Sequence, residues 1–305
     1  MKACSFLPAA TRMIYDMNLQ HHLQGVTFEC PDEALKEKQI VVRCLINGEN
    51  ASSADIDKIF SASRSNGTSL YFIDERKFTD INPDVIFTQD TCEVCQIDSK
   101  CTAAAVARLN KKPEIISLSP DHLEDVFSTA LTIACALGEE EKASAYISSL
   151  KKRTGRILAV RNENGLPAVT VMLMEWMDPV YHCGHWIPEQ IALAGGHDKL
   201  GTPGGYSAVV PWEKILNYDP EVIFIAPCGF ETERTGRELH VLKNKTGWGN
   251  LRAVRNHRVF LIDFDLFTQP SAATLVDGIE LMAALLHPDF FSIPPHLQHK
   301  YHHEW

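Results

Sequence analysis

The side chains able to do chemistry fall in short stretches that follow apolar, β-branched runs. They are Glu29-Cys30-Pro31-Asp32, Thr88-Gln89-Asp90-Thr91-Cys92-Glu93-Val94-Cys95, Pro227-Cys228-Gly229-Phe230 and Asp263-Phe264-Asp265-Leu266-Phe267, with a longer one from Glu175-Trp176 to Tyr181-His182-Cys183-Gly184-His185-Trp186. Four of these five stretches carry a cysteine. Thiolate and neutral imidazole suit zinc, copper, iron or cobalt, while aromatic rings offer broad apolar contact with a polar handle. Cys92 and Cys95 form a lone C-x-x-C. Structural zinc normally shows a second pair, and no histidine follows for haem attachment. A reactive dithiol and two inert packed thiols both stay open. His182, Cys183 and His185 make a compact soft-ligand group that can combine with Cys92 and Cys95 around a metal ion. No complete ligand set follows from the spacing, and the simpler reading is a pocket wall. His296, His299, His302 and His303 give the end of the chain a metal-binding look, but a solvated, partly disordered tail accounts for them.

Catalysis is not indicated. The chain has no G-x-S-x-G elbow, no phosphate-binding P-loop and no G-x-G-x-x-G. The expectation is a binding protein, not an enzyme, with a thiol-dependent activity on a small molecule as the minor alternative. The 305 residues carry a net charge of -10 and no basic stripe, which argues against nucleic acid. No run approaches the roughly 20 apolar residues of a membrane span. Pro8, Thr11 and Arg12 interrupt the first dozen positions, so no secretory leader is visible. The nine cysteines show no disulfide framework. These points together read as a cytoplasmic monomer, periplasmic only if the true start lies upstream.

The elements that must position these residues repeat. Pro83-Asp84-Val85-Ile86-Phe87 and Pro220-Glu221-Val222-Ile223-Phe224 recur about 140 residues apart, each a buried parallel strand entered through a Pro-acid step. Strands are expected at 3–6, 23–28, 40–44, 69–73, 85–88 and 115–118, with helices at 9–19 and 103–109. Ser119-Pro120-Asp121 starts a helix bearing Leu123, Val126, Phe127, Ala130 and Leu131 at helical spacing. Gly138 interrupts it, and a second helix runs over 140–159. Strands at 169–174, 222–226 and 259–262 follow, with helices at 187–193 and 272–286. The fold class is α/β: two Rossmann-like lobes, 1–119 and 163–305, joined by a long backbone helical segment, 120–162, with a ligand cleft between them that closes only modestly. In open α/β lobes ligands bind at the carboxyl ends of the strands, where these loops lie.

The chain resembles the helical-backbone (class III) metal-chelate substrate-binding proteins, and within them the cobalamin-binding branch. The resemblance spans nearly the whole chain. It rests on Ser5-Phe6-Leu7-Pro8-Ala9-Ala10-Thr11, Gly25-Val26-Thr27 with Glu29-Cys30-Pro31, Pro83-Asp84-Val85-Ile86, Glu175-Trp176 with Asp178-Pro179, Gly184 with Trp186-Ile187-Pro188-Glu189, Ala194-Gly195-Gly196, Trp212-Glu213, Pro227-Cys228-Gly229-Phe230 and Val276-Asp277-Gly278. It implies a corrinoid as ligand, with haem, a siderophore or a bare metal ion as alternatives. Carried over by position, it puts Glu29, Cys30, Gln89 and Cys92 of the first half near the ligand. From the second half come Trp176, Tyr181, His182, Trp186, Ser207, Phe230 and Phe267. Transport members dock on an ABC permease through a carboxylate of each lobe. Glu213 matches one, but the other position is Arg76, with Glu75 beside it. The missing leader and the Arg76 position favour a carrier or store over an uptake receptor.

Overall fold

The computed structural model describes residues 1–45, 51–66, 69–89, 102, 105–109 and 111–304. Cys92 and Cys95 lie outside these residues, as does part of the helix expected over 103–109. The chain divides into two compact units, residues 1–120 with 126–148, and residues 121–125 with 149–305.

The first unit is built on a six-stranded sheet. Its strands are β1 (Ala3–Ser5), β2 (Leu23–Thr27), β3 (Gln39–Cys44), β4 (Tyr71–Ile73), β5 (Val85–Thr88) and β6 (Glu114–Ser117), in the order β4-β3-β2-β1-β5-β6. All neighbours are parallel except β3 and β4. β1 and β5 are buried at every position, as continuous apolar strands covered on both faces should be. The chain winds outward from β1 to β2 and β3, then returns to β5 on the other flank. The carboxyl ends of β1 and β5 therefore form a topological switch point, where such sheets bind ligands. Helix α1 (Pro8–Asp16) starts with its proline and buries Ala9, Ala10, Met13 and Ile14; proline is tolerated there because the first amides have no helical partner anyway. The shorter α2 (Asp32–Glu37), α3 (Ser53–Asn66) and α4 (Glu75–Ile81) link the other strands.

Helix α5 (Leu123–Ala136) starts later than Ser119-Pro120 suggests. Glu189 and Asp125 cap it instead. Leu123 N donates to Glu189 Oε2 at 2.6 Å, and the amides of Asp121 and His122 donate to Asp125 Oδ2 at 3.2 and 2.9 Å. Gly138, at φ +74, turns the chain into α6 (Glu140–Glu163).

The second unit holds β7 (Val169–Met177), β8 (Val180–His182), β9 (Gly196–His197), β10 (Ala208–Val209), β11 (Val222–Ile225), β12 (Val259–Ile262) and β13 (Tyr301–His303). Their order is β10-β8-β7-β11-β12-β13, with β9 also on β7. β7, β11 and β12 are parallel, and β8 and β13 run against their neighbours. Two expectations change here. The stretch after Met174 is not a loop: β7 runs on to Met177 and turns through Asp178–Pro179 into β8, pairing Trp176 with Tyr181. Such cross-strand aromatic pairs stabilise a hairpin. The histidine-rich end is not a disordered tail either. Strand β13 closes the sheet edge, and His303 stacks on Phe260 (centroids 5.0 Å, planes 19° apart) with its Nε2 2.6 Å from the His257 carbonyl oxygen.

Helices α7 (Ile187–Ala194), α8 (Trp212–Tyr218), α9 (Thr232–Glu238), α10 (His240–Lys243), α11 (Arg252–Arg255) and α12 (Ala272–Leu286) complete the unit. Gly195 ends α7 at φ +100, a left-handed cap that favours glycine. Buried Gln190 ties α7 to both neighbours, donating from Nε2 to the Leu266 and Leu275 carbonyls at 3.1 and 2.8 Å.

Candidate functional site

In the second unit, the ends of β7 and β11 carry an aromatic cluster. Trp176 is half-buried and its ring lies 5.2 Å from that of Phe230, tilted by 59°. Phe230 is buried, and the Arg234 guanidinium sits 3.7 Å from its ring centroid, a cation–π contact supplied by α9. Gly229, at φ +79, makes the tight turn before Phe230, whose carbonyl accepts from Phe264 N at 3.1 Å. The β11 and β12 loops thus hold each other. The indole Nε1 of Trp176 is buried and has no hydrogen-bond partner, and the same is true of Ser207 Oγ. A buried polar atom left unmatched costs about 1–3 kcal/mol, so such atoms are retained where something else meets them.

Beside the hairpin, residues 184–207 form a second wall. Gly184 lies against the 205–207 backbone so closely that a Cβ there would sit 2.4 Å from Ser207 N and 2.5 Å from the Gly205 carbonyl oxygen. Gly184 N donates to Glu175 Oε1 at 3.2 Å, and Gly204 N donates to the His185 carbonyl at 2.9 Å. The His185 ring stands between Trp186 (5.6 Å) and Tyr206 (5.4 Å, edge-on). Tyr206 is 76% exposed, an unusual setting for so large a ring. Sequence reasoning passed over it, although the preceding glycines marked the loop that lifts it into solvent.

The remaining expected residues divide into accessible and internal ones. Tyr181 and His182 are half-buried on β8, His182 with Nδ1 2.8 Å from the Cys183 carbonyl oxygen. Trp186 and Phe267 are buried and joined through Trp186 Nε1 to the Phe267 carbonyl at 2.7 Å. With no free face, they set the loops from behind. Gln89 is buried at the end of β5.

The cysteine ligands are corrected. Cys183 is fully buried with its thiol 3.6 Å from Asp198 Oδ2. Burial first, then the Asp198 charge, pushes that thiol well above its usual range. Asp198 itself is pushed up by burial despite accepting from the amides of Leu173, Leu200 and Gly201. Cys30 donates to Thr11 Oγ1 at 3.1 Å, and burial pushes its thiol up to about 12. Both thiols are taken up inside the protein, Cys30 by Thr11 and Cys183 by Asp198. His182, Cys183 and His185 do not converge as a metal-ligand trio among the described residues; Cys183 points into the core and His185 lies 3.8 Å from Asp121 Oδ1. Glu29, after β2, is exposed at its surface, and the density of protein around it still pushes its carboxyl up, to about 7, an effect that solvent screening reduces.

Glu75 and Glu213 are both exposed in the first turn of a short helix, α4 and α8, one in each unit. Glu75 pairs with Arg108.

The chain belongs to the periplasmic binding protein family, whose model matches residues 77–266. Members of the family bind their ligand without transforming it, so the chain is a binding protein and not an enzyme. It is 21% identical to the uncharacterized ABC transporter substrate-binding lipoprotein YvrC of Bacillus subtilis (strain 168), over 95% of this chain and 81% of YvrC. Among solved structures it resembles a periplasmic heme-binding protein from Pseudomonas aeruginosa (TM-score 0.68, 16% identity, 95% of this chain and 93% of that one). It also resembles the periplasmic vitamin B12-binding protein BtuF of Vibrio cholerae (TM-score 0.61, 17% identity, 93% and 96%). The two-lobed α/β architecture is that of these proteins. The cytoplasmic placement is overturned: it rested on the first dozen residues, whereas the family is periplasmic and the Bacillus relative is a lipoprotein. No helix among the described residues is long and apolar enough to cross a membrane.

Proposed function

We propose that the protein is the substrate-binding component of an ABC importer for a metal chelate, and that the chelate is a corrinoid. The observation that carries this is the Trp176–Phe230 cluster with its unmatched indole N–H, standing at the carboxyl ends of β7 and β11. The accessible part of the Trp176 ring, backed by buried Phe230, is the face a large ring system is proposed to lie against, with Trp176 Nε1 and Ser207 Oγ as its proposed donors. The chain's charge of -10 and the nearby Glu175 favour a neutral, amide-fringed macrocycle over one fringed with carboxylates. Similarity to both a vitamin B12 binder and a heme binder supports the chelate class and leaves the choice within it to this chemistry. Tyr181, His182 and Tyr206 of the same unit are proposed to contribute contacts. Glu75 and Glu213 are proposed as the permease-docking carboxylates.

Replacing Trp176 tests the site. Trp176→Ala is expected to weaken cobalamin binding by tenfold or more, since an aromatic contact contributes about 0.5–1.5 kcal/mol beyond its buried area. Trp176→Phe keeps the ring and loses the donor, so it should fall in between. Unchanged affinity in both variants places the ligand elsewhere.

A further inference from the structure

Away from that surface, the first unit brings two adjacent histidines and a glutamate together. His21 and His22 lie in the turn between α1 and β2, and Glu139 lies in the turn between α5 and α6. One ligand atom from each falls within 4.8 Å of the others. Both turns are tied down by backbone hydrogen bonds. Leu19 N donates to the Ile14 carbonyl at 2.8 Å, His22 N to Leu19 at 3.0 Å, and Glu139 N to Ala134 at 2.9 Å. Asn18 and Gly138 take the positive φ values, 56° and 74°, that these turns need.

The orientation of His22 is the second observation. Its Nδ1 lies 3.4 Å from the Met1 carbonyl oxygen, a partner that keeps the proton on that nitrogen. That leaves Nε2 as a lone pair, and this atom is buried without a hydrogen-bond partner. Glu139 Oε1 lies 4.0 Å from it, another acceptor beyond hydrogen-bond reach. Two acceptors facing each other are matched by a cation. Histidine ligands ordinarily hold their second ring nitrogen on a backbone carbonyl in this way.

We infer that His21, His22 and Glu139 form a site for a divalent transition-metal ion of the zinc, nickel or cobalt type, separate from the chelate surface. Nitrogen and carboxylate oxygen donors select such ions over calcium or magnesium. Tetrahedral zinc separates its donor atoms by about 3.4 Å, given bonds near 2.0–2.2 Å. The His22–Glu139 pair therefore closes by only a fraction of an ångström, and water completes the shell. The competing cation is Lys142, whose Nζ lies 3.3 Å from Glu139 Oε2, the oxygen turned away from His22. The ion would clamp the turn before β2 to the start of α6.

Cobalt(II) titration of chelator-stripped protein, read by visible absorption and displaced by zinc, tests the site. One equivalent is expected to bind. His22→Gln and Glu139→Gln should each weaken it by tenfold or more, loss of a direct ligand costing at least what a supporting contact does. His299→Gln, at an exposed histidine without a role here, should leave it unchanged. Melting curves of the three variants without metal should coincide, showing that they fold. Failure of the intact protein to bind, or unchanged binding by the His22 and Glu139 variants, overturns the site.

Discussion

At the residue scale, the same side-chain types have been sorted into internal and accessible ones, and solution chemistry can check the sorting. Cys30 and Cys183 should resist iodoacetamide in the native protein, because burial holds both as thiols. Cys135 is exposed and should alkylate well before Cys30 and Cys183, as peptide mapping by mass spectrometry would show. Early labelling of Cys183 would contradict its place against Asp198. Glu29 gives a pH signature. Its folded value of about 7 lies above the ordinary 4.5, so between those limits the folded state keeps a proton that the unfolded chain has lost. Stability should therefore fall as pH rises from about 4.5 to 7, and Glu29→Gln should flatten that part of the curve in urea titrations. Trp176 and Phe230 were legible in the sequence as aromatic residues at or just past the ends of clear strand signals, although Trp176 lies in the strand itself. The roles of the cysteines were not, since cysteine serves equally as a small buried hydrophobe and as a ligand. Tyr206 was missed because Gly204-Gly205 mark a loop without saying which way the next ring faces.

At the element scale, the central parallel strands were readable as apolar runs because both of their faces are covered. The β7–β8 hairpin was not: its turn is Asp-Pro, and its polar residues look like loop chemistry. The start of α5 was misplaced because its cap comes from Glu189, a residue distant in sequence. Two substitutions probe how elements hold the site. Gly184→Ala should displace the 205–207 backbone and weaken chelate binding several-fold with little change in overall helicity, measured by titration and circular dichroism. Arg153, on α6, binds Glu280 through Nε (2.9 Å) and Nη2 (2.7 Å) and reaches Asp277 at 2.5 Å, both on α12. Arg153→Met should cost about 2 kcal/mol, the loss of charge-assisted hydrogen bonds in a partly buried setting, seen as a lower melting temperature. An unchanged melting curve would mean that α12 is held by apolar packing alone.

At the scale of the whole molecule, the repeated strand signals revealed an α/β fold with two sheet-containing lobes. The compartment was misread because the opening residues were taken to stand for the whole chain. The proposed docking carboxylates, Glu75 and Glu213, can be tested separately from binding. Glu75→Lys with Glu213→Lys should leave chelate affinity unchanged and reduce uptake several-fold in cells that depend on this protein. The central claim, a corrinoid on the Trp176–Phe230 surface, is tested most directly by parallel titration of the protein with hydroxocobalamin and with haemin, following tryptophan quenching. Saturable, tighter binding of cobalamin, reduced by Trp176→Ala, is the expected result. Preference for haemin, or cobalamin binding that ignores Trp176→Ala, would contradict it.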